Sequence, residues 1–204
     1  MGKKQEILDK ALELFNERGI EYVGLRELAA ALNMRIGNLN YYFPTKDDLV
    51  FELSLRLTKA NSDVFVPLEH LTLHQFLEML RCIFQNHWRF RCFLLSFVHL
   101  MGQNKRMAES YKNTQSTRNI SVAAYISTLG NDGYLQMGQP SQIEVVVGLI
   151  SLVSRFGIAE AAISFRQQTP EEQMRHYLRL VAGLLQPYVT AKGKPEIEAF
   201  LQTV

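Results

Sequence analysis

Between Leu25 and Lys46 the sequence reads LRELAAALNMRIGNLNYYFPTK, and no other stretch limits the fold so tightly. Leu25, Leu28, Ala29 and Leu32 recur at helical spacing, which gives a first helix one apolar face. Asn33 follows, a residue that tolerates the left-handed conformation of a sharp helix exit. Met34 then returns an apolar side chain inward. A second helix is predicted from Ile36 to Tyr42, because Pro44 pushes Phe43 out of helical geometry. On a helical wheel Ile36, Leu39 and Phe43 fall on one side, facing the first helix. Gly37, Asn38 and Tyr41 fall on the other, with Asn40 and Tyr42 on the flanks. A small residue at Ala29, a turn residue at Asn33 and an apolar Leu39 make a helix-turn-helix.

A short helix held by its neighbour, with a glycine, amides and phenols outward, suits insertion into a DNA major groove. Gly37 allows close backbone approach. Asn38 and Asn40 can donate and accept at base edges, and Tyr41 and Tyr42 offer hydroxyls to phosphate or rings to a thymine methyl. Residues 7–46 resemble the DNA-binding domain of the TetR family of bacterial transcriptional regulators. The resemblance is carried by ILDKALELFNERG at 7–19, RELA at 26–29, Gly37, Leu39, YYF at 41–43 and Lys46. Three positions depart from the family pattern. Gly24 replaces a common threonine, Arg35 a common serine and Asn40 a common tyrosine, so the operator of a relative does not carry over.

Charge is local rather than global. The net charge of 204 residues is +2, and residues 1–57 carry eight Lys/Arg against nine Asp/Glu. Yet residues 33–46 hold Arg35 and Lys46 with no acid, and Lys3 and Lys4 lie near the start. Phosphate contact is therefore expected from this pattern and from helix amino termini, with a smaller salt slope than for a strongly basic binder. Cys82 and Cys92 are too few for a disulfide framework and lack the partners of a zinc site. No signal-peptide pattern opens the sequence, and the apolar run Phe93 to Met101 is far short of a membrane span. The expectation is a soluble, cytoplasmic protein with no membrane partner.

The rest of the chain reads as all helix, without strand-type alternation or internal repeats. A first helix covers roughly Lys4 to Arg18, with Ile7, Leu8, Ala11, Leu12 and Phe15 inward and Gly19 as its stop. Thr45-x-x-Asp48 is a capping box that opens a fourth helix with Leu49, Leu53 and Leu57 inward. Lys46 then sits in a first helical turn, where amides and an ammonium together can hold a phosphate; the alternative is a solvated lysine. Periodicity breaks from Lys59 to Leu68, and the domain boundary is placed there: a helix-turn-helix domain over residues 1–57 and a larger helical domain over 58–204. Thr72-x-x-Gln75, Ser141-x-x-Glu144 and Thr169-Pro170-x-Glu172 are further capping signatures. They predict helices near 73–90, 92–101, 105–130, 142–165 and 170–189, with a short piece after Pro195.

The TetR resemblance implies that this larger half encloses a small-molecule pocket and forms a homodimer through its last two long helices. The helix 142–165 is apolar nearly all round and needs partners on several sides. Burial within one subunit and a dimer bundle are both open; Val146, Leu149, Val153, Phe156, Tyr177 and Leu184 are the interface candidates. Arg155, which interrupts it, can meet a ligand carboxylate or an ion-pair partner. On helix 105–130, Gln115 and Arg118 interrupt a stripe of Met107, Tyr111, Val122, Tyr125, Ile126 and Leu129. Polar groups amid aromatic surface describe a pocket or a partly exposed helix. Trp88, Phe97, His99, Tyr111, Gln115, Arg118 and Tyr125 are the ligand candidates, with core packing as the alternative for the rings. His70 and His74 stand four apart, but no third ligand is near, so no metal and no cofactor is expected.

Nothing in the sequence assembles a nucleophile–base pair, a glycine-rich phosphate loop or a metal cluster, so an enzyme is not expected. The reading is a DNA-binding regulator, a repressor released from a palindromic operator by an unidentified small molecule. The alternatives are a transcriptional activator, or a protein-interaction module built on the same helix-turn-helix.

Overall fold

The computed structural model describes residues 2–65, 67–69 and 71–204. Among these residues the secondary structure is helical throughout, with one isolated antiparallel bridge between Leu135 and Val189. His70, half of the histidine pair, lies outside the described residues. Among the described residues no three His, Cys, Asp or Glu side chains group as a metal site.

The chain folds into two compact units. The first joins Met1–Ala60 to Arg89–Lys112, and the second joins Asn61–Trp88 to Asn113–Val204. In the first unit, α1 (Lys3–Arg18), α2 (Leu25–Ala31), α3 (Ile36–Tyr42) and the start of α4 (Lys46–Ser62) enclose a core of Ile7, Phe15, Leu28, Leu39, Phe43 and Leu49, each at most 2% exposed. The predicted Thr45–Asp48 box is present. Asp48 N donates to Thr45 Oγ1 at 3.1 Å, and Thr45 N donates to Asp48 Oδ2 at 3.2 Å. The break expected from Lys59 begins a few residues later, because α4 continues to Ser62.

Between α5 (Leu73–Arg89) and α8 (Lys105–Asn131), the single predicted helix 92–101 is two, α6 (Arg91–Leu95) and α7 (Phe97–Gln103). They meet at Ser96, which lies outside regular helical geometry with φ −98° and ψ 13°.

The second unit is built on α5, most of α8, α9 (Pro140–Ser164), α10 (Pro170–Leu185) and α11 (Lys194–Gln202). Thr72–Gln75 and Thr169–Glu172 cap α5 and α10 as expected. The cap of α9 is Gln139 with Gln142, not Ser141 with Glu144; Pro140 takes the first helical position, which its fixed φ suits. The helix predicted to reach 189 stops at Leu185 and gives way to a 3₁₀ turn over Gln186–Tyr188. α9 and α10 pack tightly: a Cβ on Gly157 would lie 3.0 Å from the Tyr177 ring, and the Tyr177 hydroxyl donates to Glu160.

Two interface candidates are corrected by this packing. Val146 and Tyr177 are 2% and 6% exposed and belong to their own subunit's core, so they offer a partner no surface. Leu149 is exposed, while Val153, Phe156 and Leu184 are half-buried. The run Phe93 to Met101 is not the chain's main apolar segment. By length and composition alone α9 is apolar enough to cross a membrane, a test that the core helix of a soluble protein also passes.

A polar group sits inside the second unit. His87 Nδ1 lies 2.9 Å from the Ser154 carbonyl, which can only accept, so Nδ1 carries the proton. Nε2 then accepts from Asn61 Nδ2 at 3.1 Å. Burial, reinforced by the charge of Arg118 and opposed by the Ser154 carbonyl, lowers the His87 pKa from 6.5 to about 4. The unfolded imidazole takes up a proton below pH 6.5 that the folded one refuses until about pH 4. Stability carried by this neutral histidine is therefore complete above pH 6.5 and is lost as pH falls toward 4. Denaturant unfolding at fixed protein concentration should show this loss. His87→Gln should remove this pH dependence, so that the wild-type-minus-variant difference shrinks as pH falls from 6.5 toward 4, while costing about 1–3 kcal/mol at neutral pH.

Candidate nucleic-acid interface

α2 and α3 are joined by a turn at which Asn33 has φ 52°, the left-handed conformation expected of it. Asn33 N donates to Ala30 O at 3.0 Å and Met34 N to Ala29 O at 2.8 Å, closing the end of α2. α3 is anchored by Leu39 and Phe43, which are 0% and 1% exposed. Arg35, Gly37, Asn38, Asn40 and Tyr41 are exposed, Tyr41 at 83%, and Tyr42 is at 36%. The rings of Tyr41 and Tyr42 meet edge to face at 5.3 Å. A Cβ on Gly37 would meet nothing within 4 Å, so no packing inside the chain requires a glycine there. Ile36 departs from its expected place. It is 38% exposed, because at the first position of α3 only the turn flanks it.

Lys46 opens α4 and is half-buried. Its Nζ lies 3.4 Å from the Glu21 carbonyl and 6.0 Å from the centre of the Phe15 ring. Burial pulls its pKa below the ordinary lysine value, against the raising influence of Glu21 and Asp47. Burial alone would push the Glu21 carboxyl up. A hydrogen bond from Ser96, its own backbone amide and the charges of His99 and Lys46 outweigh that and hold it below the usual value.

Several of the acids that make residues 1–57 net negative are paired with bases of the same unit. Lys4 meets Glu52 at 2.8 Å and Arg56 meets Asp9 at 2.9 Å, while Arg18 is bonded to Glu27. Arg106 lies 3.7 Å over the Phe51 ring and 3.8 Å from Asp48.

The seven ligand candidates do not fall in one unit. Phe97, His99 and Tyr111 belong to the first; Trp88, Gln115, Arg118 and Tyr125 belong to the second. Phe97 and Tyr111 meet edge to face at 4.9 Å. Tyr125 is a core residue, 4% exposed, with Phe65 at 5.9 Å and Phe76 at 6.1 Å from its ring. Gln115 Nε2 donates to Asn119 Oδ1 at 2.7 Å, and Ser151 Oγ donates to the same oxygen at 2.8 Å, so polar groups of α8 and α9 interlock.

Asn16 escaped the sequence reading, its only signal being a carboxamide one turn before Gly19. Its Nδ2 donates to the Arg89 carbonyl at 2.8 Å and its Oδ1 accepts from Cys92 N at 3.0 Å. Those are an unpaired carbonyl at the end of α5 and an unpaired amide in the first turn of α6. Arg91 Nη2 adds a bond to the Asn16 carbonyl at 3.3 Å. One amide thus satisfies both sides of a helix break. Asn16→Ala should cost about 1–3 kcal/mol and speed hydrogen exchange at the Cys92 amide. Asn16→Asp, which keeps the acceptor but not the donor, should lose stability while that amide stays protected.

A three-helix unit with a buried-anchor, polar-faced second helix after a tight turn defines a helix-turn-helix DNA-binding regulator. The comparisons narrow this. The sequence profile described as "Bacterial regulatory proteins, tetR family" matches residues 7–53, and the one described as "TetR: Bacterial transcriptional repressor" matches residues 56–197. The chain belongs to the TetR family of transcriptional regulators.

Its fold is similar to a TetR-family transcriptional regulator from Marinobacter aquaeolei, with TM-score 0.91 at 22% identity over 100% of this chain and 98% of that one. It is also similar to a ketosteroid transcriptional regulator of Mycobacterium tuberculosis, with TM-score 0.68 at 14% identity over 93% and 96%. A regulator from Saccharomonospora viridis in complex with choline matches with TM-score 0.69 at 17% identity over 87% and 94%. A comparison with curated proteins finds no significant match.

Proposed function

We propose that this chain is a ligand-responsive repressor that binds a palindromic operator as a homodimer and is released by a small molecule. The observation that carries the reading is α3, whose Leu39 and Phe43 are buried while Gly37, Asn38, Asn40 and Tyr41 face outward together. Arg35, Tyr42 and Lys46 complete the assigned DNA surface, with Arg35 and Lys46 on phosphates. DNA binding is assigned to residues 1–57, and effector binding with dimerisation to 58–204.

Supporting the dimer, Val145, Leu149, Leu152 and Leu180 expose 39–58% of their area on α9 and α10, an apolar surface of the kind that a second copy covers. A dimer partner also accounts for the apolarity of α9, in keeping with a cytoplasmic regulator. For the effector, Gln115 and Arg118 remain the best candidates, since Gln115 sits among interlocked polar groups of α8 and α9. A fold neighbour in complex with choline is an instance of a small molecule held by this architecture. Release follows if the effector binds more tightly to a dimer geometry whose recognition helices no longer match successive major grooves.

Selection of genomic fragments by the purified protein, followed by footprinting, tests this reading. The expected result is a protected inverted repeat. Tyr42→Ala with Lys46→Ala should weaken binding to that repeat at least about tenfold while the dimer stays folded, and Lys46→Ala alone should lower the salt slope by about one per protomer. Undiminished affinity in the double variant, or no enrichment over random DNA, would overturn the assignment.

A further inference from the structure

Ile36 is a large apolar side chain that the wheel places beside Phe43, yet Phe43 is 1% exposed and Ile36 is 38% exposed. Its sequence neighbours on this flank, Asn33, Arg35, Gly37 and Asn40, are all exposed, so its uncovered part belongs to an open surface. Ile36 and Asn40 are one turn apart on the same flank of α3. The open space over Gly37 adjoins them. This flank continues the DNA-facing surface, and it presents a branched hydrocarbon beside a carboxamide. Branching at Cβ restricts the Ile36 side chain to few rotamers, so its position is largely set before contact.

The major groove offers one apolar feature, the 5-methyl group of thymine, and a carboxamide pairs in two-point fashion with adenine. The geometry points to Ile36 as a specificity-determining residue that packs on a thymine methyl in each operator half-site, next to an adenine read by Asn40. This rests on the DNA-binding reading above and goes beyond it, by assigning one base to one side chain.

The experiment uses the full chain and the inverted repeat recovered by selection, with each thymine replaced in turn by deoxyuridine, which removes only the methyl. For the wild type, one thymine per half-site should matter. Its loss should weaken binding about fourfold per half-site, the value of one buried methyl, and about 15-fold when both are changed. Ile36→Ala should bind the thymine duplex more weakly by a similar factor and be indifferent to deoxyuridine at that position. Ile36→Val, which keeps the branch, should retain most of the sensitivity and guards against a folding artefact in the alanine variant.

If deoxyuridine weakens both proteins equally, or weakens neither, Ile36 reads no thymine methyl. The same conclusion follows if Ile36→Ala selects an unchanged motif from random duplexes. If the wild type enriches no fragment at all, the DNA-binding reading fails and the assignment falls with it. Capture of a protein by Ile36 in that case would make the flank a protein contact instead.

Discussion

Seven residues are too few to hold a helix in water, because the first turn costs more order than its few hydrogen bonds return. α3 therefore exists through the burial of Leu39 and Phe43 against the helices beneath it. Everything the first unit does depends on that contact. It fixes which residues of α3 face outward, and it does so with one anchor inside the helix, Leu39, and one just after it, Phe43, so the other six positions of α3 are released from packing duties. The turn at Asn33 completes the constraint by directing the chain from α2 into α3 without a glycine. The charge distribution follows the same division. Acids that would repel a phosphate backbone are engaged with Lys4, Arg18 and Arg56, leaving the stretch from Asn33 to Lys46 with bases only up to Lys46 itself.

The second unit solves a different problem. Its core is continuous and apolar, yet Asn61, His87 and the Ser154 carbonyl lie inside it. Buried polar groups are tolerated when they meet one another with good geometry, and here a neutral imidazole with a fixed tautomer links three separate helices. Such a link is directional where hydrocarbon contact is not. α9 shows the opposite case: its inward face packs closely enough on Tyr177 to need Gly157, while its outward face is hydrocarbon without a covering.

Much of this was legible from residue patterns. The helix-turn-helix bounds, the capping boxes at Thr45, Thr72 and Thr169, and the left-handed Asn33 all depend on neighbours within four positions, and local chemistry decides them. What failed was governed by the third dimension. Ile36 satisfies the wheel but stays 38% exposed at the first position of α3. Val146 and Tyr177 have the composition of an interface and the position of a core. Asn16 is one polar residue on an amphipathic helix, and its partners lie more than seventy residues away. The Gln139 cap won over Ser141 because Pro140 fixed where α9 starts, a choice between two adjacent signals that spacing alone does not resolve.

The first unit draws on two stretches separated by twenty-eight residues that belong to the second unit. Two of the places where the chain passes between units, Ala60 to Asn61 and Lys112 to Asn113, lie inside α4 and α8 and not in linkers. A DNA-reading head of this design is not encoded by one continuous stretch of chain. Recombination that exchanged only the amino-terminal sixty residues with a relative would leave the segment from Arg89 to Lys112 facing a foreign α1, without a guarantee of an amide where Asn16 stands. In this lineage the operator preference and the helices behind it are thus expected to be inherited together, and new specificities to arise by point substitution on α3 more readily than by shuffling whole domains.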